Sequence, residues 1–94
     1  MVRVKNIKGT EDNLPPSGYN SWEAYWEHET GRSFSKCSCS GCGNKAQVGE
    51  HVIKAGSADR RWYIVPLCYS CNNKRSDEVF EVSERDMVFA SVKR

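Results

Sequence analysis

The chain has 94 residues, of which 38% are hydrophobic and 28% charged, and its mean hydropathy is −0.69. This length predicts a single domain over residues 1–94 with a small apolar core. A net charge of +2 and a pI near 8.3 are too mild to indicate nucleic-acid binding on their own, since strongly basic domains have a pI above about 9. No apolar run approaches the roughly 18 residues of a transmembrane helix, and the N-terminus lacks the apolar segment of a signal peptide. We therefore expect a cytoplasmic protein without a membrane partner.

The N-terminal part, residues 1–36, is expected to supply a strand, a loop and a helix. Val2 and Val4 alternate with basic residues, which is typical of a short, half-buried strand. The segment Gly9–Gly18 is rich in turn-forming residues and predicts a connecting loop.

A helix of two to three turns is predicted from Trp22 to Thr30. Ser21 suits the N-cap position and Gly31 suits the first position after the helix. The aromatic residues of this segment recur at helical spacing, so they share one face. They could form a base-stacking platform, but a stripe of this kind is more typical of a core; its members are Trp22, Tyr25 and Trp26.

The second half of the chain predicts a β-hairpin followed by short strands. Gln47–Ile53 and Trp62–Leu67 are β-rich runs separated by a polar loop, as in a hairpin. The C-terminal part, residues 76–94, contains two more strand candidates, around Phe80 and over Met87–Val92. The expected fold is therefore of the α+β class, with a hairpin, short strands and one Trp-rich helix.

All five cysteines lie between Cys37 and Cys71, and four of them form two Cys-x-x-Cys pairs. A pair at a tight turn directs two thiolates at one point, so two pairs supply the four ligands of a tetrahedral zinc site. Clustered pairs in a cytosolic chain favour a metal over disulfides. A structural zinc also suits a chain with little apolar core. The predicted ligands of one zinc ion are Cys39, Cys42, Cys68 and Cys71.

Cys37 is the surplus thiol and the alternative ligand. It could replace Cys39, because a spacer of four residues to Cys42 is geometrically possible, although the two-residue spacer is the better template. His51 is the nearer candidate for a histidine ligand. Four thiolates leave no open position for water or substrate. The zinc is therefore expected to be structural, and it does not identify a function.

A Cys-x-x-Cys turn, a strand carrying Glu50 and His51, and an Ile-Val-Pro-Leu-Cys-x-x-Cys-Asn turn follow one another over residues 37–75. This order resembles the treble-clef, ββα-metal core of HNH-type nucleases. The resemblance implies that His51 is a general base and that Glu50 and Asn72 hold a catalytic Mg²⁺ or Mn²⁺ separate from the zinc. Two positions depart from the family pattern: Tyr63 replaces the asparagine that orients the base, and Asn72 replaces the usual last histidine.

Two functions follow from this sequence. The favoured one is a non-catalytic, zinc-stabilised treble-clef module that binds nucleic acid or a protein partner. The alternative is a small HNH-like metal-dependent endonuclease with His51 as general base. Basic residues near the cysteine turns and the hairpin loop could contact the phosphates of DNA or RNA; they are Lys36, Lys45, Lys54, Arg60, Arg61, Lys74 and Arg75.

Overall fold

The computed structural model describes residues 1–7, 14–74 and 77–90. Within these residues the strands form one antiparallel sheet in the order β4-β1-β2-β3-β5. The predicted α+β class is confirmed. In chain order the elements are β1 (Val2–Asn6), α1 (Trp22–Thr30), β2 (Val48–Lys54), β3 (Trp62–Leu67), α2 (Tyr69–Asn72), β4 (Phe80–Val82), a 3₁₀ helix (Glu84–Asp86) and β5 (Val88–Phe89).

The hairpin of β2 and β3 forms the centre of the sheet. Its register runs from Val48 opposite Leu67 to Ile53 opposite Trp62, so the predicted hairpin is confirmed. β1 pairs with β2 on one side and with β4 on the other. The N-terminal strand is therefore an interior strand of the sheet.

Helix α1 has the predicted bounds and caps. The Ser21 hydroxyl accepts a hydrogen bond from the Ala24 N–H at 3.0 Å. Gly31 has a left-handed backbone with φ of 69°, and its N–H donates to Glu27 O at 2.9 Å. A glycine suits this conformation because it has no Cβ to clash. With nine residues, α1 is the longest helix of the described residues, none of whose helices is both long and apolar enough to cross a membrane.

Side chains on the two sides of the sheet form two separate clusters, because successive strand residues point to opposite faces. On the helix face, α1 packs its aromatic residues against β3 and β5, which confirms their predicted place in the core. On the cysteine face, strand residues pack with three buried cysteines. The helix face buries Tyr25, Trp26, Ile64, Val88 and Ala90. The cysteine face buries Val4, Val52, Tyr63, Val65, Leu67, Phe80 and Val82 together with Cys37, Cys68 and Cys71.

A glycine in β2 sets the distance between α1 and the sheet. A Cβ atom added to Gly49 would lie 3.2 Å from the Trp22 Cβ, closer than side chains normally pack. The absence of a side chain at Gly49 thus lets the start of α1 approach the sheet.

Some predicted features fall wholly or partly outside the described residues. They include residues 9–13 of the loop Gly9–Gly18, Arg75, and the end of the strand candidate Met87–Val92. Within the described part of that last segment, only Val88–Phe89 is a strand.

Candidate metal centre

Four cysteine sulfurs converge on the cysteine face of the sheet. The Sγ atoms of Cys37, Cys42, Cys68 and Cys71 all lie within 4.8 Å of one another, and those of Cys42 and Cys68 are 3.8 Å apart. Sulfurs placed 2.3 Å from a tetrahedral zinc ion are separated by about 3.8 Å. The four cysteines are therefore arranged so that they can hold one metal ion.

The first pair of sulfurs comes from a turn that we call the first knuckle, residues 37–44. Its two ends are joined by a hydrogen bond from the Cys37 N–H to Asn44 O at 3.0 Å. Inside the turn, the Cys42 N–H donates to Cys39 O at 3.0 Å, and Gly41 takes a positive φ of 78°. These bonds bring Cys37 and Cys42 onto the same side of the turn.

The structure places Cys37, not Cys39, among the four mutually close sulfurs. Cys39 instead forms an isolated β-bridge with Val82 of β4 and lies half-buried beside the cluster. The predicted set had named Cys39 and kept Cys37 as the alternative. The backbone pairing to β4, which no local spacing reveals, is the physical reason that the alternative fits the geometry better.

The second knuckle, residues 68–72, supplies the other pair. Cys68 is the N-cap of α2 and has an extended backbone, while Cys71 follows one helical turn later. The Asn72 N–H closes that turn by donating to Cys68 O at 2.9 Å. The short helix thus directs both sulfurs toward the first knuckle.

A buried asparagine of β1 holds the second knuckle against the sheet. Asn6 is only 2% exposed, and its Nδ2 lies 3.1 Å from Cys71 O, 3.3 Å from Asn72 O and 3.2 Å from Lys74 O. The carbonyls of Cys71 and Asn72 lie at the C-terminal end of α2, and that of Lys74 lies just beyond it. The last carbonyls of a helix lack intrahelical partners, and here Asn6 adds a donor to the bond that Cys71 O accepts from the Lys74 N–H. The sequence analysis missed Asn6. The sequence did contain a signal for it. Asn6 continues the alternation of Val2 and Val4, so the strand pattern places this polar side chain on the same buried face.

The thiols ionise unequally when no cation is present. Burial opposes ionisation of Cys68, but hydrogen bonds from the Cys71 backbone and the Asn44 side chain outweigh it and lower the Cys68 pKa to about 6. Burial raises the pKa of the Cys37 thiol. Burial and the neighbouring thiols of Cys39 and Cys68 raise the pKa of Cys71. Additional thiolates next to Cys68 are therefore costly, and a bound cation would remove that cost.

The three residues that the nuclease resemblance assigns to catalysis do not converge. Glu50 and His51 are neighbours in β2, so they point to opposite faces of the sheet. Glu50 meets Asn72 on the cysteine face, where the Asn72 amide nitrogen, in its hydrogen-bonding orientation, lies 2.9 and 3.0 Å from the two carboxylate oxygens. The structure thus brings Glu50 and Asn72 together and leaves His51 apart from them.

His51 lies on the helix face between two tryptophans. Its ring centroid is 4.7 Å from that of Trp22 and 5.8 Å from that of Trp62, both in edge-on arrangements. The side chain is 2% exposed, and among the described residues its Nε2 has no hydrogen-bond partner. Burial lowers the pKa of His51 to about 4. The imidazole is therefore neutral at physiological pH and enclosed by aromatic rings.

Tyr63, which replaces the family's orienting asparagine, does not contact His51 through its hydroxyl. The hydroxyl donates to the Asp59 carboxylate in the hairpin loop. Hydrogen bonds from Arg61 and Tyr63 hold the pKa of Asp59 below its usual range. Tyr63 and Asp59 therefore fix the hairpin loop, and the Tyr63 hydroxyl does not orient His51.

Three of the basic residues proposed as phosphate contacts are paired with local carboxylates. Arg61 Nε lies 3.0 Å from Asp59 Oδ1, and Lys54 Nζ lies 3.5 Å from Asp59 Oδ2. Lys74 Nζ lies 3.2 Å from Glu78 Oε2. Their charges are thus partly neutralised within the chain.

Lys36, Lys45 and Arg60 are exposed. Lys36 and Lys45 face each other in an isolated β-bridge that flanks the first knuckle. Together with Arg60, they form no ion pair within residues 1–7, 14–74 and 77–90. Arg75 lies outside the described residues.

Comparisons of the chain with protein families, with curated proteins and with solved structures found no match. The resemblance to HNH-type nucleases therefore depends on the motif residues. Of the features that it implies, the structure shows the cluster of four cysteines that can hold a metal ion.

Proposed function

We propose that this protein is a zinc-stabilised, treble-clef-like module that binds nucleic acid and carries out no catalysis. The observation that supports it most directly is the group of four cysteine sulfurs within 4.8 Å of one another. Four thiolates complete a tetrahedral shell, so the metal would hold the two knuckles together and leave no position for a substrate.

Zinc is the metal that this ligand set suits best. Soft thiolate ligands in a tetrahedral arrangement favour zinc over magnesium, calcium or manganese. Structural zinc sites contribute about 10–16 kcal/mol of coupled binding and folding free energy. A contribution of this size matters in a 94-residue chain whose small core alone gives marginal stability.

The charge distribution favours nucleic acid as the partner. Lys36, Lys45 and Arg60 are exposed and form no ion pair with a carboxylate of the described residues. Phosphate contacts of this kind release counterions and bind without regard to sequence. A module with few such cations would bind with modest, strongly salt-dependent affinity.

Metal analysis tests the zinc part of the proposal. Elemental mass spectrometry of the purified protein should find one zinc ion per chain. Chelation should remove the zinc and abolish the cooperative thermal unfolding seen by circular dichroism. A protein that keeps this transition without metal would contradict the proposal.

Anisotropy of fluorescent oligonucleotides tests the partner. Single- and double-stranded DNA and RNA should bind the zinc-loaded protein, with an affinity that falls steeply as salt rises. An affinity that does not change with salt would argue against a phosphate-binding surface. An absence of binding to all four would leave a protein partner as the alternative.

The contact between Glu50 and Asn72 favours a second candidate, the HNH-like endonuclease. A carboxylate and an amide oxygen would suit Mg²⁺, but here the Asn72 amide nitrogen, not its oxygen, faces both Glu50 oxygens. The geometry does not fit the rest of that site, because His51 lies on the opposite face between Trp22 and Trp62. A general base has to lie within hydrogen-bond reach of the water that it activates. We therefore derive no hydrolytic step from these residues.

A plasmid cleavage assay separates the two candidates. With Mg²⁺ or Mn²⁺, we expect no cleavage by the wild-type protein or by His51→Ala. Equal cleavage by both would indicate a contaminant. Cleavage by the wild type that disappears in His51→Ala would overturn the non-catalytic proposal.

A further inference from the structure

An exposed aromatic side chain lies at the edge of the sheet. Phe89 of β5 is 48% exposed, although it pairs with Tyr63 of β3. Its neighbour Val88 is buried on the helix face with Ile64, so Val88 supplies the core contact of β5. Phe89 points to the opposite face, because the side chains of adjacent strand residues alternate. The core of the helix face therefore does not require the Phe89 ring.

The guanidinium of Arg61 lies over this ring. Its Cζ atom is 5.5 Å from the Phe89 centroid and 5.8 Å from the Tyr63 centroid, within the roughly 6 Å range of a cation–π contact. Asp59 holds the same group at its edge, with Nε 3.0 Å from Oδ1 and Nη2 3.2 Å from Oδ2. A bidentate pair of this kind fixes the plane of the guanidinium. Arg61 is therefore oriented before a ligand binds.

Arg61 and Phe89 remain accessible to a flat ligand. The Arg61 side chain is 64% exposed, and the pair with Asp59 uses only the edge of its guanidinium. Because Asp59 offsets the positive charge of Arg61, this group is better suited to stacking than to binding a phosphate. Nucleobases stack both on aromatic rings and on guanidinium planes. The exposed ring and the fixed guanidinium together match a base.

The next residue along the chain carries a positive charge that is available for a phosphate. Arg60 is exposed, and it pairs with no carboxylate in the part of the chain that the structure describes. A purely apolar partner would bury this charge without a counter-charge, which is unfavourable. A nucleotide carries a flat base and a phosphate, so it satisfies the ring and the cation together. Only unpaired nucleotides expose their base faces for stacking.

We propose that Phe89 and Arg61 form a stacking site for one base of single-stranded nucleic acid, with Arg60 as the cation for an adjoining phosphate. The inference rests on the proposed function, because nucleic acid supplies the base. It deepens that function by specifying single strands as the form that is bound. It also separates Arg61, as a base contact, from the residues that contact phosphate.

A strand without bases separates stacking from phosphate contact. An abasic oligonucleotide keeps the phosphates of a normal single strand, so it retains the salt-dependent part of the affinity. By fluorescence anisotropy, the zinc-loaded wild type should bind the normal strand at least about 5-fold more tightly than an abasic strand of the same length. Equal affinities would overturn the stacking site and leave phosphate binding standing. An absence of binding to either strand would overturn the proposed function and the stacking site with it.

Phe89→Leu keeps an apolar side chain and removes the aromatic ring. At verified zinc content, it should weaken binding to the normal strand about 5-fold or more and leave the abasic strand unaffected, whereas Phe89→Tyr should bind like the wild type. Tyr69→Leu is the matched control, because Tyr69 is 56% exposed but follows the end of β3 opposite to Arg61. Equal losses in Phe89→Leu and Tyr69→Leu, or no loss in Phe89→Leu, would overturn the site.

Arg61→Lys tests whether the guanidinium acts through its plane. Lysine keeps the charge but offers no plane for stacking, so the variant should bind the normal strand more weakly with an unchanged salt dependence. Arg60→Ala should instead weaken binding to both strands and reduce the slope of log affinity against log salt by about 0.7. Arg32→Lys is the control, because Arg32 also pairs with a carboxylate, Asp86, and lies over a ring, Trp26. Wild-type affinity in Arg61→Lys, or an equal loss in Arg32→Lys, would contradict the inference.

Discussion

The two faces of the sheet obtain their stability in different ways. On the helix face, aromatic side chains of α1 pack edge-on against one another and against strand residues. On the cysteine face, strand residues surround the cysteines, and burial raises the pKa of Cys37 and Cys71. The comparison teaches that a small sheet can build one core from packed aromatic side chains and the other around a cysteine cluster that can hold a metal ion.

The largest expected effect distinguishes two cysteines only two residues apart. Cys37→Ser removes one of the four close sulfurs, whereas Cys39→Ser removes a thiol outside that group. Loss of a direct ligand should weaken metal binding by more than the roughly 10- to 100-fold typical of losing an outer hydrogen-bond partner. Titration with Co²⁺, followed by its visible absorption, measures the effect. A tetrathiolate spectrum lost in Cys39→Ser and kept in Cys37→Ser would reverse the assignment.

A substitution on the helix face should reduce stability and leave the metal site intact. Trp26 is 3% exposed, and its Nε1–H donates to Asp86 O at 2.8 Å. Trp26→Ala should therefore cost about 3–5 kcal/mol of unfolding free energy, measured by denaturant titration of the zinc-loaded protein. The Co²⁺ spectrum of the folded variant should match that of the wild type. A changed spectrum would show that the two faces are coupled.

His51 makes the stability of the helix face dependent on pH. Its pKa is about 4 in the folded protein and about 6.5 in the unfolded chain. The unfolded state therefore binds more protons between these values, and stability falls as the pH drops from 6.5 to 4. We expect a loss of about 2 kcal/mol over this window.

The matched variant for this prediction is His51→Phe, which keeps an aromatic ring between Trp22 and Trp62. Acid also removes zinc by protonating cysteines, but this affects both proteins. The difference between the two unfolding free energies therefore isolates His51, and the variant should lose less stability in acid. Identical pH profiles for the two proteins would contradict the prediction.

A smaller effect is expected at Asn6, where the sheet meets the second knuckle. Asn6→Ala removes the side-chain donor to the carbonyls of Cys71 and Lys74 and leaves Cys71 O with the longer bond from the Lys74 N–H at 3.3 Å. Unpaired buried polar groups of this kind cost about 1–3 kcal/mol. Thermal unfolding of the zinc-loaded variant measures the loss. Asn6→Asp is the control, because a carboxylate of similar shape cannot donate and should restore none of the stability.

Local sequence signals were sufficient to predict helix α1 and the central β-hairpin. Ser21 and Gly31 marked the ends of α1 because capping depends on groups within one turn. The alternating and β-rich runs located the central hairpin. The same signals gave three of the four close cysteines, Cys42, Cys68 and Cys71, from their spacing alone.

The sequence did not reveal features that depend on pairing between distant segments. Cys39 is held by a bridge to Val82, and Asn6 meets a carbonyl 65 residues away in Cys71. The position of His51 follows from the strand alternation that separates it from Glu50. The family motif requires Glu50 and His51 to be adjacent in sequence, but adjacent residues of a strand have side chains on opposite faces of the sheet.

The interior position of β1 has a consequence for the order of assembly during synthesis. β1 must pair with β4, whose partner residues are some 80 positions later, as Val2 opposite Val82 shows. The hairpin β2–β3 and both knuckles leave the ribosome before β4 does. We therefore expect metal capture and hairpin formation to precede insertion of the N-terminal strand, because pairing distant segments is slow. Pulsed hydrogen exchange during refolding with zinc would show late protection of Val4 and early protection of Val65.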